Sequence, residues 1–389
     1  MSRLKNSNRR VLIYLDSAVF GGHEVTLLEA IKGLSEESRI DLYLLVPQAN
    51  KQLLTRLGKL PGSITVIEHC LQTAPGDVFR VLFTTGKVRR LTKMITQYQP
   101  DLLIVSQGAI ALSACGLGAA RITGVPLMSF LPMAHPVALV RGKNSLPIRL
   151  QELLYRRLYA LPNYFFTICN TVKEQLQNQY YVDPARIFVQ YFGLNTEEIQ
   201  KHNPSRQLKL RREKHLALIG RIEFQQKRHD FFMRHLAAFR KELPPLIVHI
   251  IGDGPDRNNL EKLVRDLGLQ DIVRFEGWAD DMSAWYEKLD MVLLPSRFEG
   301  VPVVMLEAMH WKIPVVGSKC DGMAEMLPEE WLFPVNDGRK MILCLKDILE
   351  NDQIKFLVRN QQVVAGLDTA AFRTGFCNAV LACLKKENL

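Results

Sequence analysis

The sequence predicts a two-domain α/β protein in which each domain is built on a doubly wound parallel sheet. Short apolar runs alternate with helix-like stretches in the first half, a spacing typical of strand–helix–strand units. A polar, charged segment at 197–214, which contains Asn203 and Pro204, interrupts this pattern, and the alternation then starts again. The length of 389 residues suits two domains of ordinary size.

The alternation allows the elements of the first half to be placed in order. Compact apolar runs are the strand candidates, and stretches with apolar residues every three or four positions are the helix candidates. The predicted strands are 11–15, 41–46, 65–67, 102–105, 127–131, 164–168 and 187–190. The predicted helices are 24–34, 78–98, 110–122 and 171–180.

The same pattern resumes after a predicted linker at 201–214. The predicted strands are 216–219, 246–251, 272–275, 290–294 and 314–316. The predicted helices are 230–241, 257–266, 282–288, 303–310 and 339–349, followed by a terminal helix at 369–386. We therefore expect a first domain over 1–200 and a second over 215–369.

Composition predicts a soluble cytoplasmic protein. No apolar run approaches the ~18 residues that a membrane-spanning helix needs. The basic N-terminus is followed only by the run 11–15, which is too short for the core of a signal peptide. The seven cysteines have neither paired nor metal-type spacing, which predicts reduced thiols.

The net charge of +10 is concentrated in the first half. Residues 1–200 carry 22 Lys and Arg against 14 Asp and Glu, a surplus of 8, and the rest of the chain has a surplus of 2. Such a basic face attracts anionic lipid head groups, nucleic acid or acidic substrates, and it is equally typical of a solvated surface. The clusters are Lys87, Arg89, Arg90 and Lys93, and Arg141, Lys143, Arg149, Arg156 and Arg157.

Two glutamates eight positions apart, Glu299 and Glu307, form the most informative motif. They lie in PSRFEGVPVVMLE, which follows an apolar run and leads into a predicted helix. Gly300, Val301 and Pro302 would lie at the N-terminus of that helix, where backbone N–H groups favour an anion. The two carboxylates either bind two hydroxyl-rich parts of one ligand, such as a sugar and a ribose, or serve as a capping residue and a solvated residue.

Gly220, Arg221 and Lys227 follow the first strand of the second half. Ligands bind at the carboxyl ends of the strands in α/β domains. Arg221 and Lys227 could neutralise a diphosphate there, Arg through its planar fork and Lys as a point charge. Exposed basic residues are common, but the two glutamates in the same half favour a ligand site.

Three other features admit both a structural and a functional interpretation. Gly21 and Gly22 follow the first strand and either form a plain turn or let the backbone approach a ligand. His135, after the strand 127–131, is either structural or faces a ligand. Trp278 either flanks a nucleobase or lies in the core or on the surface.

Other reaction chemistries lack their motifs. The sequence contains no H-E-x-x-H, G-x-S-x-G or P-loop, and no G-x-G-x-x-G that would indicate a nicotinamide cofactor. It also contains no D-x-D that would hold a divalent metal against a sugar nucleotide, so no metal is expected. The G-D-G-P run at 252–255 is a turn by composition and is assigned a structural role.

These residues resemble glycosyltransferase family 4, the group 1 retaining glycosyltransferases of GT-B fold. The resemblance covers nearly the whole chain and is strongest from about 216 to 327. It rests on Gly21-Gly22, Gly220-Arg221 with Lys227, 252–255, 275–277, Glu299 with Glu307, and 321–325. It implies two Rossmann-like domains facing across a cleft, with the tail 370–389 packing back on the first domain.

The resemblance also implies roles for the domains and the charged residues. The first domain would bind the acceptor and the second a nucleotide sugar, as a co-substrate and not a cofactor. Arg221 and Lys227 would hold the diphosphate. Glu307 would bind the ribose hydroxyls and Glu299 those of the donor sugar. In similar enzymes the donor phosphate itself is thought to receive the acceptor proton, which implies neither a metal nor a protein general base.

Further positions carry over from the family. Backbone amides near Gly300 and Val303 would add to the hold on the donor. Gly21 and Gly22 would approach the donor phosphate or the acceptor, and His135 would contact the donor sugar. The chain departs from the family pattern at Arg228 and Asp321, where glycine is usual, and at Pro136, where Asp or Gly is usual.

The function that the resemblance implies is transfer of a hexose-like sugar to a saccharide or lipid-linked acceptor in cell-surface polysaccharide or glycolipid synthesis. The basic first half favours an acceptor at the inner face of a membrane, with the protein attached peripherally, and no nucleic-acid partner is expected. Two alternatives remain. One is a nucleotide-sugar epimerase or hydrolase of GT-B shape, and the other is a catalytically silent member that only binds a nucleotide.

Overall fold

A computed structural model describes residues 8–387, apart from 75, 82, 84, 142–144, 195–212, 280 and 352–353. The chain divides into two compact units, each with its own parallel sheet. One unit comprises Met1–Ala138, Lys143–Phe192 and Thr369–Leu389, and the other comprises Leu139–Gly142 and Gly193–Asp368. Nearly all of the predicted linker at 201–214 lies outside the described residues.

Parallel strands alternate with helices along the first half. The strands are β1 (Arg9–Tyr14), β2 (Ile40–Pro47), β3 (Ile64–His69), β4 (Leu102–Ser106), β5 (Leu127–Phe130), β6 (Tyr164–Thr167) and β7 (Ile187–Val189). The helices are α1 (Gly22–Ser35), α2 (Lys51–Leu57), α3 (Asp77–Arg80), α4 (Gly86–Tyr98), α5 (Cys115–Thr123), α6 (Val137–Arg141), α7 (Leu146–Tyr159) and α8 (Asn170–Tyr180). The sheet order is β3-β2-β1-β4-β5-β6-β7.

The second half repeats this architecture. Its strands are β8 (Lys214–Ile219), β9 (Leu246–Ile251), β10 (Val273–Gly277), β11 (Met291–Leu294), β12 (Val315–Ser318) and β13 (Leu332–Phe333). Its helices are α9 (His229–Phe239), α10 (Arg257–Asp266), α11 (Ser283–Tyr286), α12 (Val303–His310), α13 (Asp321–Met326), α14 (Gly338–Glu350) and α15 (Ile354–Ala365), and α16 (Thr369–Lys386) ends the chain. The sheet order is β10-β9-β8-β11-β12-β13.

The central strands of both sheets are apolar along most of their length because helices cover both faces. In β1 and β4 the apolar side chains are buried, as expected for parallel strands sandwiched between helix layers. In both sheets the order of strands reverses beside the first strand, at β1/β4 and at β8/β11. Such switch points open a crevice at the carboxyl ends of the strands, which is where α/β sheets bind ligands.

The terminal helix α16 belongs to the first unit and packs against α1. The Arg373 Nε donates a hydrogen bond to Glu29 Oε2 at 2.6 Å. A Cβ on Gly33 would lie 2.8 Å from the Arg373 Cβ, so the two helices meet where α1 has no side chain. Phe372 and Phe376 of α16 are fully buried and complete the core of this unit.

The predicted single helix over 78–98 is wrong. The structure has two helices, α3 and α4, because polar contacts draw their ends together. The Asp77 carboxylate bonds both Arg80 and Lys87, and the Lys87 Nζ also lies 3.6 Å from the buried Asp16 carboxylate. In one continuous helix Asp77 and Lys87 would be about 15 Å apart along the axis.

The predicted helix over 110–122 begins later, at Cys115. Ser113 has a φ of +51°, outside helical geometry, and its hydroxyl donates to Asp16 Oδ1 at 2.9 Å. Within the described residues, five helices and one strand were not predicted from the sequence: α2, α6, α7, α13, α15 and β13.

Composition predicted reduced cysteines and no membrane-spanning helix. All seven cysteines are free thiols, four of them buried. Within the described residues, no helix combines the length and the apolar character needed to cross a membrane.

Candidate functional site

The loops that follow β8 and β11 meet at the switch point of the second sheet. The Lys227 Nζ donates to Glu299 Oε1 at 2.6 Å, and this ion pair is largely buried. The Arg297 N–H donates to the Gln226 carbonyl at 2.8 Å, and the Gln226 side-chain amide donates to the Phe298 carbonyl at 3.3 Å. The structure thus brings together two predicted site residues that are 72 positions apart in sequence.

Glycines allow the loops after β8 and β9 to pack backbone against backbone. Gly220 has a φ of +130°, and a Cβ there would lie 3.8 Å from the Lys227 Cε. A Cβ on Gly252 would lie 2.1 Å from the Gly220 carbonyl oxygen, and one on Gly254 would lie 2.4 Å from the Ile222 carbonyl oxygen. The 252–255 turn therefore has the structural role that its composition predicted: it supports the loop that carries Lys227.

Asp321, at the start of α13, fixes the loop that carries Glu299. The Glu299 N–H donates to Asp321 Oδ2 at 2.8 Å, and the Gly322 N–H donates to the Gly300 carbonyl at 3.0 Å. Asp321 is buried with a φ of +44°, a left-handed conformation that favours glycine. The family's usual glycine avoids this strain, whereas the aspartate here gains a charge-assisted hydrogen bond to the loop.

The start of α12 presents backbone N–H groups beside Glu299. Pro302 is the N-cap; it has no N–H, and its carbonyl accepts a hydrogen bond from the Met305 N–H at 3.0 Å. Val303 is the first helical residue, and N–H groups in the first turn have no acceptor within the helix itself. Gly300, Val301 and Pro302, which lead into the helix, are buried.

Glu307 lies one to two turns into α12 and is bonded to α11. The Tyr286 hydroxyl donates to Glu307 Oε2 at 2.7 Å. Burial raises the pKa of Glu307, and the hydrogen bond from Tyr286 partly opposes that rise. Burial and the neighbouring Glu307 raise the pKa of Tyr286 well above its usual value, so Tyr286 acts as a donor here.

Arg221 and Trp278 have more exposed positions than the Lys227–Glu299 pair. The Arg221 Nε lies 3.6 Å from Glu223 Oε2, and about half of its side chain is exposed. Trp278 follows β10 and is more than half exposed. The switch point lies between β8 and β11, and β9 separates β8 from β10. Trp278 therefore follows a strand that is two positions away from the switch point.

Arg228 explains the second departure from the family pattern. It adopts a φ of +57°, in the left-handed region, directly before α9. Its guanidinium donates to the Asn336 Oδ1 and lies 4.1 Å from the centroid of the Phe231 ring. The backbone therefore takes the path that a glycine would take, and side-chain contacts hold the arginine in it.

The remaining predicted residues lie in the first unit. The Gly21 N–H donates to Glu24 Oε2 at 2.9 Å, which caps α1, and Gly22 is the first residue of that helix. His135 is buried between β5 and α6. Gly21 and Gly22 therefore form the start of α1, and His135 lies in the buried connection between β5 and α6.

His23, which was not among the predicted site residues, lies at the switch point of the first sheet. The His23 Nε2 lies 2.7 Å from the hydroxyl of Ser106, the last residue of β4. Burial lowers the pKa of His23 to about 4, so the ring is neutral. Its position directly after Gly21-Gly22 was the available signal. Asp321 could have been singled out because it departs from the family pattern. Nothing in the sequence around Tyr286 pointed to its contact with Glu307.

Two α/β units with parallel sheets, the second with its polar residues at the switch point, define a GT-B fold. Residues 213–351 match the family described as "Glycosyl transferases group 1", and residues 20–198 match "Glycosyltransferase Family 4". The chain belongs to the group 1, family 4 glycosyltransferases.

A solved structure has the same fold, and curated relatives are glycosyltransferases. Anabaena Alr3699/HepE in complex with UDP-glucose has a TM-score of 0.71 over 96% of this chain and 100% of that chain, at 18% identity. The Escherichia coli UDP-Gal:alpha-D-GlcNAc-diphosphoundecaprenol alpha-1,3-galactosyltransferase is 26% identical over 62% of this chain and 65% of its own length. The sulfoquinovosyl transferase SQD2 of Arabidopsis thaliana is 22% identical over 69% of this chain and 54% of its own. The chain spans less than two thirds of the length of these curated relatives.

Proposed function

We propose that this protein transfers a sugar from a nucleoside diphosphate sugar to a saccharide or lipid-linked acceptor, with retention of configuration and without a metal. The observation that carries the proposal is the buried Lys227–Glu299 ion pair at the switch point of the second sheet. It combines a cation for a phosphate and a carboxylate for sugar hydroxyls beside the N-terminus of α12.

The ion pair suggests how the site receives its donor. Lys227 and Glu299 neutralise each other in a largely buried position. A bound diphosphate would offer Lys227 a second anionic partner, and sugar hydroxyls would donate to the Glu299 carboxylate. Binding thereby replaces one buried charge pairing with a larger hydrogen-bonded set, without leaving either charge unpaired.

Transition-state charge gives the basic residues their catalytic role. As the glycosidic bond breaks, negative charge develops on the leaving diphosphate. Lys227, Arg221 and the first N–H groups of α12 would stabilise that charge, which is usually the largest catalytic contribution. The donor phosphate would take the acceptor proton on the same face of the sugar, so no protein base is assigned.

The acceptor is proposed from chemistry and from the relatives. One relative's name specifies a diphosphoundecaprenol-linked sugar as acceptor and UDP-galactose as donor. The surplus of 8 positive charges in residues 1–200 suits a negatively charged or membrane-presented acceptor of that kind. Acceptor dependence separates the alternatives: a transferase releases nucleotide faster with acceptor, a hydrolase releases it without acceptor, and a silent member releases none.

A thermal-shift panel of free nucleotides and nucleotide sugars, with and without magnesium, tests the donor site. A ligand that binds only the folded protein raises the melting temperature in line with its occupancy. We expect a shift with one nucleoside diphosphate, equal with and without magnesium, and a much smaller shift in Lys227→Ala.

Lys262→Ala is the matched control, because Lys262 also forms an ion pair, with Asp266, but on an exposed face of α10. This variant should keep the full shift. A shift that needs magnesium would contradict the metal-free mechanism. The absence of any nucleotide shift in the unmodified protein would contradict the proposed donor site.

A further inference from the structure

Helix α7 of the first unit presents a row of leucines to solvent. Leu146, Leu150 and Leu153 are 71%, 59% and 57% exposed. Their spacing of four and three residues places them on one face of the helix. Leu154 and Leu158, toward the C-terminal end of the helix, are buried in the core. These two leucines therefore anchor the helix, while Leu146, Leu150 and Leu153 stay uncovered.

Arginines lie on the same helix as this uncovered row. Arg149, Arg156 and Arg157 are exposed on α7. The acidic residue of the helix, Glu152, is turned inward: its carboxylate accepts hydrogen bonds from the Val137 N–H at 2.6 Å and the Tyr180 hydroxyl at 3.1 Å. The exposed face of α7 thus combines three leucines with three positive charges.

Aromatic side chains lie on the neighbouring segment. Helix α3 packs against α7 and carries Phe79, which is 57% exposed, and Phe83, three residues after α3, is 67% exposed. Arg80 adds a positive charge that is paired with Asp77. We call Leu146, Leu150, Leu153, Phe79 and Phe83 together the α7 ridge.

We propose that the α7 ridge docks on an anionic membrane surface. Leucine and phenylalanine side chains enter the boundary between head groups and acyl chains, and bordering arginines pair with lipid phosphates, which is how interfacial amphipathic helices bind. A second copy of the chain fits this face poorly, because a symmetric contact would place Arg149, Arg156 and Arg157 against their own like charges.

A cavity beside the ridge fits the same partner. It has a volume of about 420 Å³ and is lined by Arg149, Glu152 and Arg156 from α7 and by Asn178 and Gln179 from α8. The Glu152 carboxylate accepts hydrogen bonds from Val137 and Tyr180, and the two arginines with the amide groups suit the phosphate and glycerol oxygens of a lipid head group.

Vesicle flotation tests the proposal with the full chain. We compare phosphatidylcholine vesicles with and without phosphatidylglycerol, at low and high salt. We expect binding only with the anionic lipid, weakened by salt. Two triple variants should each bind the anionic vesicles at least about tenfold more weakly than the unmodified protein. They are Leu146→Ser/Leu150→Ser/Leu153→Ser and Arg149→Gln/Arg156→Gln/Arg157→Gln. Since these side chains are exposed, their melting temperatures should stay close to that of the unmodified protein.

Matched controls separate a docking face from general attraction to a basic domain. Arg89→Gln/Arg90→Gln/Lys93→Gln removes three exposed charges from α4, and Leu343→Ser removes an exposed leucine of α14. Both should bind as the unmodified protein does. Equal loss in the α4 and α7 charge variants, or unchanged binding in the leucine variant, would overturn the proposal. Because flotation needs neither donor nor acceptor, its outcome is independent of the proposed transferase activity.

Discussion

Lys227 and Glu299 show how single residues define the site. Each is a charged side chain held mostly out of water, and such groups are retained only when paired. Their neighbours Gly220, Asp321 and Gln226 set the backbone around the pair: Gly220 has a left-handed φ, and Asp321 and Gln226 bond the loop that carries Glu299. The position of the two charges at this site therefore depends on the backbone conformation of the loops that carry them.

Removing either proposed phosphate cation should slow turnover strongly. We expect Lys227→Ala and Arg221→Ala each to lower kcat at least ~100-fold, the scale of losing one preorganised transition-state donor. Steady-state kinetics with donor and acceptor measures this, and Arg265→Ala, which removes an exposed arginine of α10, is the control. Near-normal rates for both variants would rule out the proposed diphosphate site.

Two substitutions at Asp321 separate backbone strain from hydrogen bonding. Asp321→Ala loses the hydrogen bond to the Glu299 N–H and keeps the strained φ of +44°, whereas Asp321→Gly loses the bond but relieves the strain. We expect alanine to lower the free energy of unfolding by about 1–3 kcal/mol and glycine to lower it less. Urea unfolding measures the difference. The reverse order would show that the conformation of residue 321 is unstrained.

At the scale of elements, the loops after β8, β9 and β11 behave as one support. Glycines remove side chains where the first two loops touch, and hydrogen bonds join the loop after β8 to the one after β11. Apolar strands bring these loops to one edge, and the short α12 and α13 begin there. Precision at the site thus depends on backbone contacts between elements more than on the site residues themselves.

Gly254→Ala tests this support. The added Cβ would lie 2.4 Å from the Ile222 carbonyl oxygen, so the backbone of one loop must shift. We expect the free energy of unfolding to fall by at least about 2 kcal/mol and the nucleotide-induced thermal shift to shrink. Gly366→Ala is the control, because its Cβ would come no closer than 3.5 Å to a neighbouring atom. Equal stability of the two variants would contradict the close packing of the loops.

At the scale of the whole molecule, each unit contains a buried neutral histidine that makes folding sensitive to acid. Burial lowers the pKa of His23 in the first unit to about 4 and that of His229 in the second to about 3, from an ordinary value of 6.5. Below pH 6.5 the unfolded chain binds protons that the folded chain does not, so the free energy of unfolding falls as pH falls.

The expected loss is measurable. Each histidine contributes up to about 1.4 kcal/mol per pH unit between its unfolded and folded pKa, or roughly 2 kcal/mol between pH 6.5 and pH 5. Urea unfolding at pH 7 and pH 5 should show the contributions of both histidines in the unmodified protein. His23→Gln and His229→Gln should each lose less stability, because each keeps the contribution of only one histidine. Identical pH dependence in all three proteins would mean that these histidines are protonated when folded.

The local pattern of the sequence was sufficient for most strands and for the principal helices. Apolar runs and helical periodicity depend on neighbouring residues, so 257–266 and 303–310 were predicted with the ends that the structure has. Helix 78–98 failed because its break depends on contacts of Asp77 with Lys87 and of Lys87 with Asp16. Helix α7 was not predicted because some of its leucines are buried in the core while others are exposed to solvent among arginines, so no single apolar face stands out in its sequence.

The sequence by itself determined the repeated α/β pattern, the separate second domain and the residue types of the proposed donor site, because motif spacing and composition are local. Only the tertiary structure decided that β8 and β11 are neighbours, and hence that Lys227 meets Glu299. It also decided that Tyr286 bonds Glu307 and that three leucines of α7 face water. Strand order and exposure result from packing between distant segments, and no window of sequence contains both partners of such a contact.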